Sequence, residues 1–382
     1  MKIALISTGL GKVWRGYERF THDLFHLLKD EVDITLFKGG GEERDREVVL
    51  PHFSRDGILS KLPLEKMPFL RNTARGAYYF ETLSFFLLLL PRLISGGYDI
   101  VHFTDCPFAN FFHHARTKLN IRYRFKTLFT NGNPITDNAC KRVDFLHELT
   151  PWQTQLVVDS GVSAEKIITL PFGVHCQKFL GHNNVEAIRI KYGIPAGKKV
   201  ILAVSAINRA HKRIDYLVSE IAQLGEDYFL LVAGHLEDPS LGKEAQQLLG
   251  NRFKFLHIPF EEVNQLYQLA DIFTQCSLIE GFGLSLVEAM SAKIPVVVPS
   301  TEHYEWMVGS KSSLTDLSVR GNLARRVKEL MTDEKSRSEM VERNYENAIQ
   351  RFDWASLKDQ YLEMYDRVLN QNLQPAGHHY SH

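Results

Sequence analysis

Ser277-Leu-Ile-Glu280-Gly-Phe-Gly-Leu-Ser-Leu-Val-Glu288-Ala-Met290 is the stretch on which the reading of this chain turns. It follows an apolar run, Ile272–Gln275, that reads as a strand. It then turns through Gly281 and Gly283 and enters Leu284–Ser291, whose apolar spacing is helical. Glycines there let the backbone approach a ligand closely, and the unpaired amides at a helix start favour an anion. Glu280 would lie in the loop and Glu288 about one turn into the helix, near the same strand end. An ionised carboxylate only accepts hydrogen bonds, which suits it to sugar hydroxyls. Gly-x-Gly alone is no more than a helix entry with two solvated glutamates, so the rest of the chain has to decide.

Outward from this segment, short β-branched runs alternate with amphipathic helical ones. Lys2–Ser7 reads as a buried strand, followed by a loop with Gly9, Gly11 and Gly16. Phe20, Leu24, Leu27 and Leu28 then form one helical face, and Asp33–Phe37 reads as a second strand. Later strands are expected at Ile100–Phe103, Thr127–Thr130 and Lys166–Leu170. Residues 38–76 read as an irregular or partly helical insertion, and Ala77–Ile94 as helical despite Pro91. The pattern breaks over 171–198 and restarts with strands at Val200–Val204, Tyr228–Ala233, Phe253–Leu256, Ile272–Gln275 and Pro295–Val298. Such alternation implies parallel sheets covered by helices on both faces. The expected fold class is α/β, two Rossmann-like doubly wound domains facing across a cleft, and 382 residues suit two domains. The expected divisions are 1–178, 179–355, a C-terminal helix over 356–372 packing back on the first domain, and a flexible tail over 373–382.

The run EGFGLSLVEAM, with Glu280 and Glu288 separated by seven residues, resembles the E-x7-E signature of family 4 of the retaining glycosyltransferases, which have the GT-B fold. SAINRAHKRIDYL (205–217), LYQLADIFTQCSLIEGFG (266–283), IPVVVPS (294–300), IITLPFGVHCQKF (167–179) and RFDWASLKDQYLEMYDRVL (351–369) extend the resemblance over most of the chain. It implies transfer of a sugar from a nucleotide-diphosphate sugar, UDP- or GDP-linked, to a hydroxyl of a glycan, lipid-linked or small-molecule acceptor. No other cofactor is expected. The first domain would bind the acceptor and the second the donor. Residue by residue, Lys212 would contact the diphosphate, a role suited to a compact cation. Glu288 would hold the ribose, and Glu280 the transferred sugar with the amides of Phe282, Gly283 and Leu284, while Gly281 would be a further donor-binding position. Leu256–Phe260 would border the base, and Gly16 would approach the phosphates.

Three positions depart from the family pattern. Ile207 stands where an Arg is usual, five residues before Lys212, so Arg209 or Arg213 would have to substitute. Asn131-Gly132 replaces a His-Gly, and an amide cannot take a proton near neutral pH. Lys293 replaces a glycine. The alternative these departures raise is a non-catalytic sugar-nucleotide-binding or scaffold protein on a decayed transferase fold.

Asp105 is the acceptor-side carboxylate this reading singles out. His102, in YDIVHF, is either an acceptor-side group or a hydrogen-bonded structural histidine. The pairs His113-His114 and His378-His379 do not read as metal ligands, and the chain has no Asp-x-Asp, so a metal-independent reaction is expected. Lys plus Arg and Asp plus Glu are 45 each, which gives no sign of a nucleic-acid partner. Cys106, Cys140, Cys176 and Cys276 lie far apart and read as free thiols of a reducing compartment. The first residues are too short an apolar run for a signal peptide, and Leu83–Leu90 is too short to span a bilayer. A cytoplasmic protein is therefore expected. Leu83–Leu90, with Lys61, Lys66, Arg71, Arg75 and Arg92 around it, is the candidate for peripheral contact at the inner face of the membrane, against a buried core helix as the alternative.

Overall fold

The computed structural model describes residues 1–54, 76–134, 136–181 and 184–371. Lys61, Lys66, Arg71, Arg75, the expected tail at 373–382 and His378, His379 and His382 lie outside the described residues. The chain divides into two compact units, Met1–Pro171 with Lys358–His382, and Phe172–Leu357.

The first unit runs β1 (Lys2–Ser7), α1 (Gly16–Leu28), β2 (Asp33–Lys38), β3 (Glu47–Val49), α2 (Ala77–Gly96), β4 (Ile100–Phe103), α3 (Pro107–Thr117), β5 (Lys126–Asn131), α4 (Asn138–Lys141), β6 (Phe145–Glu148), α5 (Pro151–Asp159) and β7 (Ile167–Thr169). Its sheet has the order β3-β2-β1-β4-β5-β6-β7, and every pairing is parallel. β1 is buried on both faces after Lys2, as a central parallel strand must be. Two strands of this unit, β3 and β6, lie where no strand pattern is legible in the sequence. β3 falls inside the supposed irregular insertion and is only three residues long. β6, FLHE, ends in two polar residues that the fold nevertheless buries completely.

α2 packs Phe85, Phe86, Leu89 and Leu93 into the core of this unit with Phe103, Phe108 and Phe112. By length and composition it is apolar enough to cross a bilayer, but this face is spent on the core. Its other face leaves Leu87, Leu88 and Ile94 exposed.

The second unit runs α6 (Val185–Tyr192), β8 (Lys199–Val204), α7 (Ile214–Ile221), β9 (Tyr228–Ala233), α8 (Ser240–Leu249), β10 (Phe253–Leu256), α9 (Val263–Tyr267), β11 (Ile272–Thr274), α10 (Leu284–Ser291), β12 (Val296–Pro299), α11 (Glu302–Met307), β13 (Leu314–Thr315), α12 (Asn322–Thr332) and α13 (Glu334–Phe352). The sheet order is β10-β9-β8-β11-β12-β13, again all parallel. Together the two doubly wound units make a GT-B fold. Phe172–Phe179 belongs to this unit because Phe172 packs edge-on against Phe282 and the Val174 N–H donates to the Phe352 carbonyl at 2.7 Å. α14 (Trp354–Asn370) begins here and continues among the residues of the first unit.

Glu220 shows how a buried charge is compensated in this unit. Fully buried on α7, it accepts the Gly321 N–H at 2.6 Å and the Ala324 N–H at 3.1 Å, satisfying amides at the start of α12 that no helix carbonyl can reach.

Candidate active site

In a doubly wound sheet, ligands bind beyond the carboxyl ends of the strands where the strand order reverses. In the second unit that point lies between β8 and β11, and the loops leaving these two strands carry Lys212 and Glu280. The β8 loop is shaped by Asn208, whose Oδ1 accepts the N–H groups of His211 at 3.0 Å and Lys212 at 2.8 Å. Arg213 follows in the left-handed region at φ 53° and opens α7. Such a conformation in a non-glycine residue costs about 1 kcal/mol or more and persists only where its surroundings hold it. Gly234 lets the β9 loop close on this one, since a Cβ there would meet the Ser205 carbonyl oxygen at 1.9 Å.

Lys212 Nζ lies 2.9 Å from Glu280 Oε1 and 2.7 Å from Oε2, a two-point contact with only 16% and 12% of the side chains exposed. Gln275 Nε2 donates to Glu280 Oε2 at 2.6 Å. Burial alone would raise the Glu280 carboxyl, but the Lys212 ammonium, His211 and the Gln275 amide outweigh it and hold the group below its ordinary value. The carboxylate is therefore ionised near neutral pH and ready to accept hydroxyl protons.

Gly283 enters α10 at φ 100°, a conformation that favours glycine, and no side chain caps the helix start. Phe282 is buried against Phe172 and Phe352, and its carbonyl accepts from His303 Nε2 at 3.0 Å. Burial lowers the pKa of His303, leaving it neutral, so the nitrogen facing that carbonyl carries the proton. Gly281 follows Glu280 directly, and its N–H turns back to Oε1 at 3.4 Å. Glu288 is 3% exposed on α10, with the Tyr267 hydroxyl 2.5 Å from Oε2.

The two candidate replacements for the arginine missing at Ile207 are placed differently. Ile207 itself is buried in the core of the unit. Arg209 turns to the acidic side chains beside it, Asp238 at 3.0 Å and Glu244 at 2.6 Å. Arg213 stacks on Tyr216 at 4.3 Å and donates to the Cys276 carbonyl at 3.2 Å, in the loop that leads to Glu280.

The switch point of the first unit lies between β1 and β4. Asp105 bridges it, accepting from the Thr8 N–H at 3.2 Å, the Thr8 hydroxyl at 2.7 Å and the Tyr78 hydroxyl at 2.7 Å. Gly16 is exposed at the first turn of α1. His102 is fully buried in a chain of hydrogen bonds whose proton directions follow from its end. His147 Nε2 must donate to the Leu170 carbonyl (2.7 Å), so its Nδ1 accepts from Thr130 (2.9 Å). Thr130 then accepts from His102 Nε2 (2.6 Å), and His102 Nδ1 accepts from Tyr365 (2.7 Å). Burial holds both imidazoles neutral, with His147 at about 4. With no exposed atom, His102 fits the structural reading rather than direct acceptor contact.

Asn131 donates through Nδ2 to Glu148 Oε1 at 2.9 Å. Glu148, which sequence reasoning missed along with Gln275 and His303, is wholly buried, and burial pushes its carboxyl up to about 8. Gly132 leaves room for the Tyr17 ring, which a Cβ would meet at 2.5 Å.

Comparison with known proteins bears on the second unit first. Residues 184–347 match the family model of the glycosyl transferases group 1. Among curated proteins, the chain is 24% identical over 250 residues to the lipopolysaccharide core biosynthesis glycosyltransferase LpsE of Rhizobium meliloti, covering 64% of this chain and 71% of that protein. It is 28% identical over 270 residues to the N,N'-diacetylbacillosaminyl-diphospho-undecaprenol alpha-1,3-N-acetylgalactosaminyltransferase of Campylobacter jejuni, covering 66% of this chain and 63% of that one. Among solved structures, Anabaena Alr3699/HepE in complex with UDP and glucose superposes with a TM-score of 0.74 at 17% identity, over 96% of this chain and 99% of the other. The second unit is thus similar to the glycosyl transferases group 1, the relatives are glycosyltransferases, and the fold is that of GT-B proteins.

Proposed function

We propose that the protein is a retaining, metal-independent glycosyltransferase of family 4, moving a sugar from a nucleotide-diphosphate sugar to a hydroxyl of a glycan, lipid-linked or small-molecule acceptor. The observation that carries this reading is the Lys212–Glu280 pair at the switch point of the second sheet, an ammonium and an ionised carboxylate held together beside an uncapped helix start. When a donor binds, Lys212 exchanges its carboxylate partner for the diphosphate, and Glu280 accepts from hydroxyls of the sugar. The residues suit both halves of such a ligand. Arg213 is the better placed second cation, since a diphosphate at Arg209 would have to displace two carboxylates.

No protein nucleophile is assigned, so retention implies a front-face substitution. The bond from the anomeric carbon to the leaving phosphate breaks as the acceptor oxygen bonds on the same face, and the acceptor proton passes to the leaving phosphate oxygen. Lys212 and the amides of Gly283 and Leu284 would stabilise the negative charge growing on that phosphate. A UDP-sugar is the first donor to test because the structurally similar Alr3699/HepE was solved with UDP and glucose; GDP-sugars are the second. The reading extends to a cytoplasmic site with peripheral contact at the inner face of the membrane, supported by the exposed Leu87, Leu88 and Ile94 on α2 and by a relative named for an undecaprenol-linked substrate.

Thermal-shift titration against UDP-, GDP-, ADP- and TDP-sugars tests the proposal, because a ligand that binds only the folded state raises its melting temperature. One donor class should raise it in a saturable way and then support transfer or slow hydrolysis. Saturable binding with neither activity, across donors and acceptors, would favour the scaffold alternative.

A further inference from the structure

We propose that Gln275 is a positioning residue for Glu280, holding the carboxylate in place for the donor sugar at a cost to the stability of the fold; this rests on the donor-site reading above. Gln275 follows β11 directly, at the switch point, and only 5% of it is exposed. Its amide is committed in one direction. Nε2 lies 2.6 Å from Glu280 Oε2, and a carboxylate can only accept, so the nitrogen must face it. That orientation leaves Oε1 buried with no hydrogen-bond partner among the described residues. Oε1 sits beside the α10 entry, 3.6 Å from where a Cβ on Gly283 would be.

A residue selected for folding alone would not be expected to combine these features. A buried carbonyl without a partner is destabilising, whereas an apolar side chain of similar size would fill the same space without that penalty. What the amide supplies instead is a second donor to Glu280, set against Lys212. Lys212 is the group that turns to the diphosphate when a donor binds, so its hold on Glu280 is the one that loosens. Gln275 makes no demand on the phosphate and can keep the carboxylate oriented through that exchange. The groups facing Glu280 are Lys212 and His211 from the β8 loop, Gln275 from the end of β11, and His303 and Tyr304 from α11. Among the described residues only Lys212 and Gln275 donate directly to its oxygens through side-chain nitrogens.

The test compares the full-length wild type with Gln275→Leu and the closer isostere Gln275→Met. Removing the amide should leave the melting temperature unchanged or higher, because the unpaired carbonyl goes with it. Turnover with the sugar nucleotide should fall roughly ten- to hundredfold, the usual worth of a hydrogen bond to a charged group, while affinity for the bare nucleotide diphosphate stays as in the wild type. The Glu280 carboxyl, followed by carbon NMR in the ligand-free protein, should titrate at higher pH in both variants, and the acid limb of the turnover profile should move with it. The inference is overturned if both variants lose melting temperature and activity in parallel, or if the Glu280 titration is unmoved. A wild type that binds no nucleotide sugar contradicts the proposed function, and with it the role in transfer. The carboxyl titration still decides the contact between Gln275 and Glu280.

Discussion

Glu280 and Glu148 occupy comparable places in the two units and carry opposite charge states. Each lies at or just beyond the carboxyl end of a parallel strand, is largely or wholly buried, and accepts from a neighbouring side-chain amide: Gln275 at 2.6 Å for one, Asn131 at 2.9 Å for the other. The difference is Lys212. With an ammonium against both oxygens, Glu280 stays ionised below its ordinary range. With an amide alone, Glu148 is pushed up to about 8 and keeps its proton at neutral pH. One amide does not offset the loss of water around a carboxylate, whereas a cation does. The donor side is thus charged and ready to exchange partners, and the corresponding corner of the first unit is neutral and closed.

Removing the cation should break the contrast with the largest effect. Lys212→Ala makes Glu280 resemble Glu148, a buried carboxyl with an amide for company, and also takes a positive charge from the donor phosphate. Transfer should fall by roughly 10²–10³-fold or more, and Glu280→Ala should abolish most activity as well. Circular dichroism should show both variants folded, and steady-state assays with the matched donor check the loss.

Glu148 is tested by the pH dependence of stability. Its folded value is raised, so the native state binds a proton the unfolded chain has lost, and the wild type loses stability as pH rises from the ordinary carboxylate range to about 8. Glu148→Gln carries no such proton. Denaturant unfolding should therefore show the variant gaining on the wild type with rising pH, by on the order of a few kcal/mol, and levelling off above that value. Glu280 contributes the opposite slope, since its lowered value adds stability that is lost as pH falls.

A smaller step is to give Glu148 the partner it lacks. Asn131→Lys should lower the Glu148 titration by about 1–3 units, measurable by carbon NMR. The smallest effect is expected at Arg209. Its pairing with Asp238 and Glu244 is open to solvent, where water and salt screen the attraction. Arg209→Ala should change donor turnover less than about threefold, while Arg213→Ala, beside the Glu280 loop, should change it more.

Much of the fold was legible because parallel strands buried on both faces write themselves as apolar runs. β1, β4, β8 and β9 are of this kind, and their alternation with helices announced two doubly wound units. β6 was not legible, since FLHE becomes a buried strand only once Thr130, Leu170 and Asn131 are brought to its histidine and glutamate. On the donor side, Lys212 and Glu280 were readable from spacing and resemblance, and the structure brings them into contact across 68 residues of sequence. Gln275 was readable only as the polar end of a strand, because its role depends on the direction of its amide. His102 shows the limit of strand-end reasoning: its position at the end of an apolar run suggested access, but α14 supplies Tyr365 and completes its burial.

The most direct measurement is a calorimetric titration of the wild type and Glu280→Ala with a nucleotide diphosphate and with the matching nucleotide sugar. The account predicts that the wild type binds the sugar nucleotide more tightly than the bare nucleotide, and that the variant loses this increment while keeping its affinity for the nucleotide. A wild type that binds neither ligand, or a variant in which the increment survives intact, would contradict it.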